Sequence, residues 1–301
     1  MKPGNYFIIP ALALLVLFGR HAFSELPPES NKAGTNLTIA GGRENPVYSD
    51  NPFLELVRKY TVDGGEKVDY ETWKNSPEDL AALDRQVALI ARISPVSHPE
   101  LFPTRAAQRS YWINTYNTLV LRAVLEYWPL ESVRDVKISV TSRVVPGKGF
   151  FYDRKVVVGG EETNLYKLEK EVLHKQKDPR LHFALNCGSE SCPVLRPWEW
   201  TDDQLDEAAR DFINNPDNVS IVDKNLYLSS IFKWYKKDFP KDLHGYLQQY
   251  AEPGLNEQLQ AAKDKKYQTR YQTYDWSLNA GPPSCNMRAR QDEEKLSVGN
   301  P

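Results

Sequence analysis

After residue 18 no run of this chain comes near the roughly eighteen consecutive apolar residues that a membrane-spanning helix requires. No span is therefore expected once the N-terminal segment is set aside. Charge of one sign is missing as well: Lys+Arg 38 against Asp+Glu 40 leaves a net charge of -2, without the basic field that a nucleic-acid partner would need. Cysteine is scarce. The 3 in the sequence allow one disulfide and leave one thiol over. No internal repeat at a period of about 20 to 50 residues is visible, which excludes solenoid and propeller architectures.

What is present begins with the N-terminus. Lys2 precedes the apolar run Phe7 to Phe18, followed by Arg20 and the small-residue site Ala22-Phe23-Ser24. That order is the layout of a secretory signal, with cleavage expected near Ser24 to Glu25, so the protein is expected to be exported to the periplasm or the extracellular space. Residues 25–45 are rich in Pro, Gly, Ser and Asn and read as a flexible tether, and residues 281–301 read as a disordered tail. The body, residues 46–280, is short enough for one hydrophobic core. The chain as a whole is rich in amphipathic aromatics, with Trp 7 and Tyr 16, suited to a core that carries hydrogen bonds or to a cleft wall.

Within the body, Ser76-Pro77 opens an amphipathic helix carrying Leu80, Leu83, Val87 and Ile90. Thr104 opens another that runs to about Trp128 and has few polar positions, so it is buried on most sides. Asn164 caps a short helix, and Thr201 with Gln204 forms a capping box. Val133 to Val140, Phe150 to Val158 and Leu181 to Asn186 read as strands. Val219 to Val222 and Leu226 to Ser229 read as a hairpin, and Lys266 to Tyr274 as a closing strand. Helices and strands mix without regular alternation. The fold class is α+β: a single mixed domain with a buried central helix packed on a small, mostly antiparallel sheet.

The densest chemistry lies between Arg180 and Pro193, where His182, Cys187 and Cys192 surround a Gly-Ser turn. Cys192 is a candidate thiolate nucleophile with His182 as its base. Equally, Cys187 and Cys192 form a disulfide that staples the turn. If residues 182–187 are a strand, His182 and Cys187 face opposite ways, which leaves Cys192 the better nucleophile. A metal site built on His182 and both thiolates lacks a fourth local ligand, so neither a metal nor a cofactor is expected. Asn114 and Asn117 share one face of the buried helix and either hold a neighbouring loop or serve as orienting or oxyanion groups. Arg180, Trp234, Asp238, Asp275 and Trp276 are candidate binding residues, although the tryptophans with Phe239 also suit a core, and the two acids suit turn caps.

Several stretches together resemble the family called domain of unknown function 547. They are Lys67-Val-Asp-Tyr70, Tyr111 to Asn117, Asp178 to Gly188, Ser191-Cys-Pro193, Ile231 to Phe239 and Tyr274 to Asn279. Exported bacterial members are common in that family, and its members often carry an acidic–histidine pair in the helix before the cysteine segment. Here the place holds Glu169-Lys170, so the resemblance implies a histidine that this chain lacks at 170.

Two functions stay open from the sequence. One is a thiol-dependent hydrolase or transferase of the cell envelope. The other is a non-catalytic binding domain with a structural disulfide, its partner a small molecule or an envelope peptide.

Overall fold

The computed structural model describes residues 47–282. The leader, the tether, nearly all of the tail and Cys285 lie outside the described residues.

Local signals start most of the helices. Pro52 stands in the first turn of α1 (Asn51–Tyr60), which leads into the short hairpin β1 (Thr61–Val62) and β2 (Lys67–Val68). The Asp69 side chain accepts from Thr72 N–H to start α2 (Tyr70–Lys74), and Ser76 does the same for Asp79 N–H at α3 (Pro77–Arg92). Thr104 caps α4 (Arg105–Tyr127), in which every residue from Ile113 to Leu121 is buried. A helix apolar all round has to lie inside, and α4 is the centre about which the rest packs.

Beyond α4 the chain turns through short helical segments before reaching β3 (Val156–Val158), β4 (Glu161–Thr163) and α5 (Leu165–Lys167), capped by Asn164. The expected capping box at Thr201 and Gln204 forms at α6 (Asp202–Asn214), with both reciprocal bonds present. β5 (Val219–Val222) and β6 (Asn225–Leu228) make the expected hairpin, the first strand as read and the second displaced by one residue. Then follow α7 (Ser230–Trp234), α8 (Leu243–Tyr250), α9 (Pro253–Asp264) and β7 (Gln268–Tyr271). The sheet order is β5-β6-β7, antiparallel in the first pair and parallel in the second, and the other described pairs are antiparallel. The α+β class with a buried central helix is the architecture found.

Three expected strands are corrected. Val133–Asp135 and Thr141–Arg143 are 3-10 turns, the first begun by Ser132, whose hydroxyl accepts from Arg134 N–H at 3.2 Å. Gly149–Asp153 is a π-turn, and only Val156–Val158 of that run is extended. Pro179–Phe183 is a 3-10 helix. Asp178 accepts from Arg180 N–H at 3.0 Å and Pro179 stands at the first position, so a cap and a preset φ override the apolar run.

The β5–β6 connection is a two-residue loop in which Asp223 (φ 49°) and Lys224 (φ 59°) both lie in the left-handed region, the type I′ geometry that favours Asn-Gly. Replacing Asp223-Lys224 by Asn-Gly is therefore expected to raise stability by about 0.5–1 kcal/mol. Urea midpoints measure it, and an unchanged or lowered midpoint contradicts the turn assignment.

Candidate functional site

The cysteine turn is built from both ends of the chain. From α4, the Asn117 amide donates to Ala184 O at 3.0 Å and its carbonyl accepts Asn186 N–H at 3.0 Å, fixing the segment that leads into Cys187. Asn186 then bridges the turn itself, accepting Gly188 N–H at 2.8 Å and donating to Pro193 O at 2.8 Å. Gly188 has φ +82°, and a Cβ there would sit 3.2 Å from Val133 and 3.4 Å from Val124, so backbone conformation and close packing both select glycine. The segment Asp275 to Asn279 zips along the outer edge. Glu190 N–H donates to Ser277 O at 2.9 Å, Asn279 N–H to Gly188 O at 3.1 Å, and Asp275 N–H to Ser191 Oγ at 2.9 Å.

The Cys187 and Cys192 sulfurs lie at disulfide distance, with Cα atoms 6.2 Å apart. Around Cys192 Sγ stand Cys187 N–H at 2.9 Å, the Tyr274 hydroxyl at 3.2 Å and the Ser189 hydroxyl at 3.3 Å. Burial pushes the Tyr274 phenol well above its ordinary pKa, and the nearby Glu169 charge adds to this, so Tyr274 stays protonated and able to donate. Cys192 fronts a cavity of about 690 Å³ lined also by Lys67, Phe183, Glu190, Tyr274 and Asp275, with Lys67 and Glu190 paired as ions. Beside it Trp234, Tyr274 and Trp276 pack ring to ring at 4.7–5.8 Å, with Trp234 left 39% exposed.

A second cluster lies around His182. Its Nε2 pairs with Asp238 Oδ2 at 3.1 Å, and its ring stacks on Tyr235 at 4.2 Å. The π-turn Leu168–Leu173 and the 3-10 turn His174–Gln176 bring Glu169, Lys170 and His174 to the same place. His174 Nδ1 lies 3.4 Å from Asp238 Oδ2, and its Nε2 lies 3.6 Å from Glu169 Oε1. Glu169 accepts from the Tyr235 hydroxyl at 2.7 Å and the Tyr116 hydroxyl at 3.4 Å, and Lys170 Nζ stands 3.4 Å away. Burial holds His174 down to about 4 against the pull of Glu169, with His182 and Lys170 adding to the depression. The hydrogen bond from His182, chiefly, keeps the Asp238 carboxyl below its ordinary value. The histidine missing at 170 is thus supplied one turn later, from 174, against the same Glu169.

The residues singled out in the sequence divide between these sites and the framework. His182 bonds to Asp238, and among the described residues no hydrogen bond joins it to Cys192. Asn114 lies apart from both clusters: it donates to Asp50 and Trp198 O and accepts from Trp200. Arg180 is paired with Asp178, Asp202 and Asp206. Asp275 caps a turn through Ser277 N–H at 2.9 Å. Asp238 does not cap a turn but faces the histidines, and Phe239 is core while Trp234 is not.

Glu169, His174, Tyr116 and Tyr235 were not read as site residues. The Glu-Lys position of the family pattern was the signal that could have led to the next turn of the chain.

This is an α+β domain that sets a cysteine loop beside a cavity and gathers a partly buried histidine–carboxylate cluster. Residues 102–213 match the family described as protein of unknown function, DUF547. The matched stretch holds α4, Glu169, His174, His182 and both cysteines, whereas Asp238 and Tyr274 lie beyond it. Neither a curated protein nor a solved structure matches the chain.

Proposed function

We propose that this is an exported cell-envelope enzyme, a hydrolase or acyl transferase whose nucleophile is the Cys192 thiolate, released when the Cys187–Cys192 bond is reduced. The observation that carries the reading is the set of donors around Cys192 Sγ: a backbone N–H, the Tyr274 phenol and the Ser189 hydroxyl, at the edge of a cavity. The two hydroxyls are shared, standing 3.1 and 3.4 Å from Cys187 Sγ as well, and the backbone N–H at 2.9 Å sets Cys192 apart among these donors. A thiolate is stabilised by each of them, which lowers its pKa and keeps it ionised near neutrality.

Opening the bond takes two electrons and two protons from a dithiol, which leaves as a disulfide. The Cys192 thiolate then adds to an acyl carbon, the leaving group departs with a proton, and water or a second acceptor takes the acyl group from the thioester. In this reading Asn117 is a positioning residue that acts through Ala184 and Asn186. Export is supported by the leader-like order of residues 1–24 and by a cysteine pair that suits an oxidising compartment.

Peptide-mapped alkylation with iodoacetamide tests it. Before reduction neither Cys187 nor Cys192 is expected to react. After treatment with a dithiol, Cys192 is expected to react at least about tenfold faster than Cys187 at pH 6.5, and Tyr274→Phe to slow it about tenfold, one pKa unit of thiolate stabilisation. Equal rates at the two cysteines, rising with the pH profile of an ordinary thiol, sink the nucleophile. They leave the non-catalytic reading, which the exposed Trp234 beside Tyr274 and Trp276 favours as a recognition face.

A further inference from the structure

His174, His182 and Asp238 arrive from three separate parts of the chain and present one ligand atom each within 4.8 Å of one another. Asp238 Oδ2 is 3.1 Å from His182 Nε2 and 3.4 Å from His174 Nδ1. Nitrogen and oxygen ligands at the 2.0–2.2 Å of a zinc-like ion stand roughly 3.3–3.5 Å apart in a tetrahedron, so two edges of the triangle are already close to that length. The third edge, between the two imidazoles, is within 4.8 Å.

The surroundings supply what such an ion needs. His174 Nε2 is buried without a hydrogen-bond partner and lies 3.6 Å from Glu169 Oε1, which the Tyr235 hydroxyl fixes at 2.7 Å. When Nδ1 binds a metal the ring proton must sit on Nε2, facing that carboxylate, which is the outer contact that orients and polarises a metal-bound imidazole. The Asp238 side chain is 31% exposed, which gives the ion a way in and leaves a coordination position open to water or a ligand.

One residue opposes the ion. Lys170 Nζ lies 3.4 Å from both His174 Nδ1 and Glu169 Oε1, and 4.2 Å from the Tyr235 ring centre. It places a positive charge beside the ligands, paired with the Glu169 carboxylate that stands behind His174. Its side chain is 35% exposed, so it can leave.

We propose that His174, His182 and Asp238 form a binding site for a divalent transition-metal ion of the zinc class, with Glu169 behind His174 and Lys170 as the resident cation that the metal displaces. The site is separate from the cysteine turn, and its test does not depend on whether Cys192 is a nucleophile.

The experiment is a Co²⁺ titration of the full chain carrying Cys285→Ser, with Cys187 and Cys192 kept oxidised, followed by visible absorption at neutral pH. One equivalent is expected, with the intense bands of four- or five-coordinate Co²⁺, displaced by Zn²⁺. His182→Asn and Asp238→Asn are each expected to weaken binding at least about 100-fold, and Lys170→Gln to tighten it about tenfold. Circular dichroism checks that each variant is folded. Because Lys170 is not itself a ligand and Lys170→Gln predicts a gain, that variant carries the test even if a ligand variant unfolds. No saturable signal in either the wild type or Lys170→Gln overturns the proposal. So does a signal that survives both His182→Asn and Asp238→Asn.

Discussion

Replacing Asn114 by alanine is expected to lower stability by roughly 3–6 kcal/mol, among the largest effects open to a single polar side chain. The side chain is fully buried in the middle of α4. Its amide donates to Asp50 Oδ2 at 3.0 Å and Trp198 O at 3.2 Å, and its carbonyl accepts from the Trp200 indole N–H at 2.9 Å. Trp200 is itself fully buried, so the alanine variant orphans its indole N–H and takes a donor from the partly buried Trp198 carbonyl and from Asp50 Oδ2, although Tyr48 still donates to the other Asp50 oxygen. Each lost partner costs about 1–3 kcal/mol, so three give about 3–9, and the lower part of that range applies because Asp50 keeps the Tyr48 hydroxyl as a donor. In a domain of this size the loss corresponds to a fall of roughly 6–24 °C in midpoint temperature. Thermal and urea unfolding of wild type and Asn114→Ala measure it. A midpoint within about 2 °C of wild type would mean that these bonds are not formed, leaving the amide free for a role at a site.

The same residue shows what the sequence could and could not disclose. Two asparagines on one face of an apolar helix must point at something polar inside the fold, and that much follows from the cost of a buried amide. Which polar groups they meet does not follow. Asn117 holds the segment before Cys187, while Asn114, three residues away, ties the N-terminal Asp50 to the Trp198–Trp200 segment.

Caps and the hairpin were legible at Ser76, Thr104, Asn164, Thr201 and Val219 because each signal is contained within a few residues. The apolar run at Leu181 misled, because strand propensity is a statement about packing and the Asp178-Pro179 start decided the backbone first. The cysteine turn was visible as a motif. The histidine cluster was not. Glu169, His174, His182, Tyr235 and Asp238 meet only through tertiary packing, and two of them lie in a π-turn and a 3-10 turn whose register no helical periodicity announces.

Asp50 carries the second large effect, and its sign is opposite to that of an ordinary paired carboxylate. Burial raises its pKa to about 6, against the hydrogen bonds from Tyr48 and Asn114 that favour the ion. In the unfolded chain it titrates near its ordinary value of 3.8. The folded state therefore holds the proton more tightly, and stability attributable to Asp50 falls as pH rises from about 4 through about 6, then levels off. The interval of about two pKa units corresponds to about 3 kcal/mol.

Asp50→Asn removes this titration and keeps the shape. Its carbonyl can accept from Asn114, and its amide can donate to the Tyr48 oxygen. The difference in unfolding free energy between Asp50→Asn and wild type is expected to move by about 2.4 kcal/mol in favour of the variant between pH 4 and pH 7. Taking the difference cancels the other groups that titrate in this window, including His174, whose burial holds it down and whose own contribution runs the other way. Urea unfolding of both proteins at each pH unit reads the effect. A difference that stays constant from pH 4 to pH 7 would show that Asp50 ionises in the fold as it does in water. The carboxylate beside Asn114 would then have to be solvated, and the loss predicted for Asn114→Ala would shrink with it.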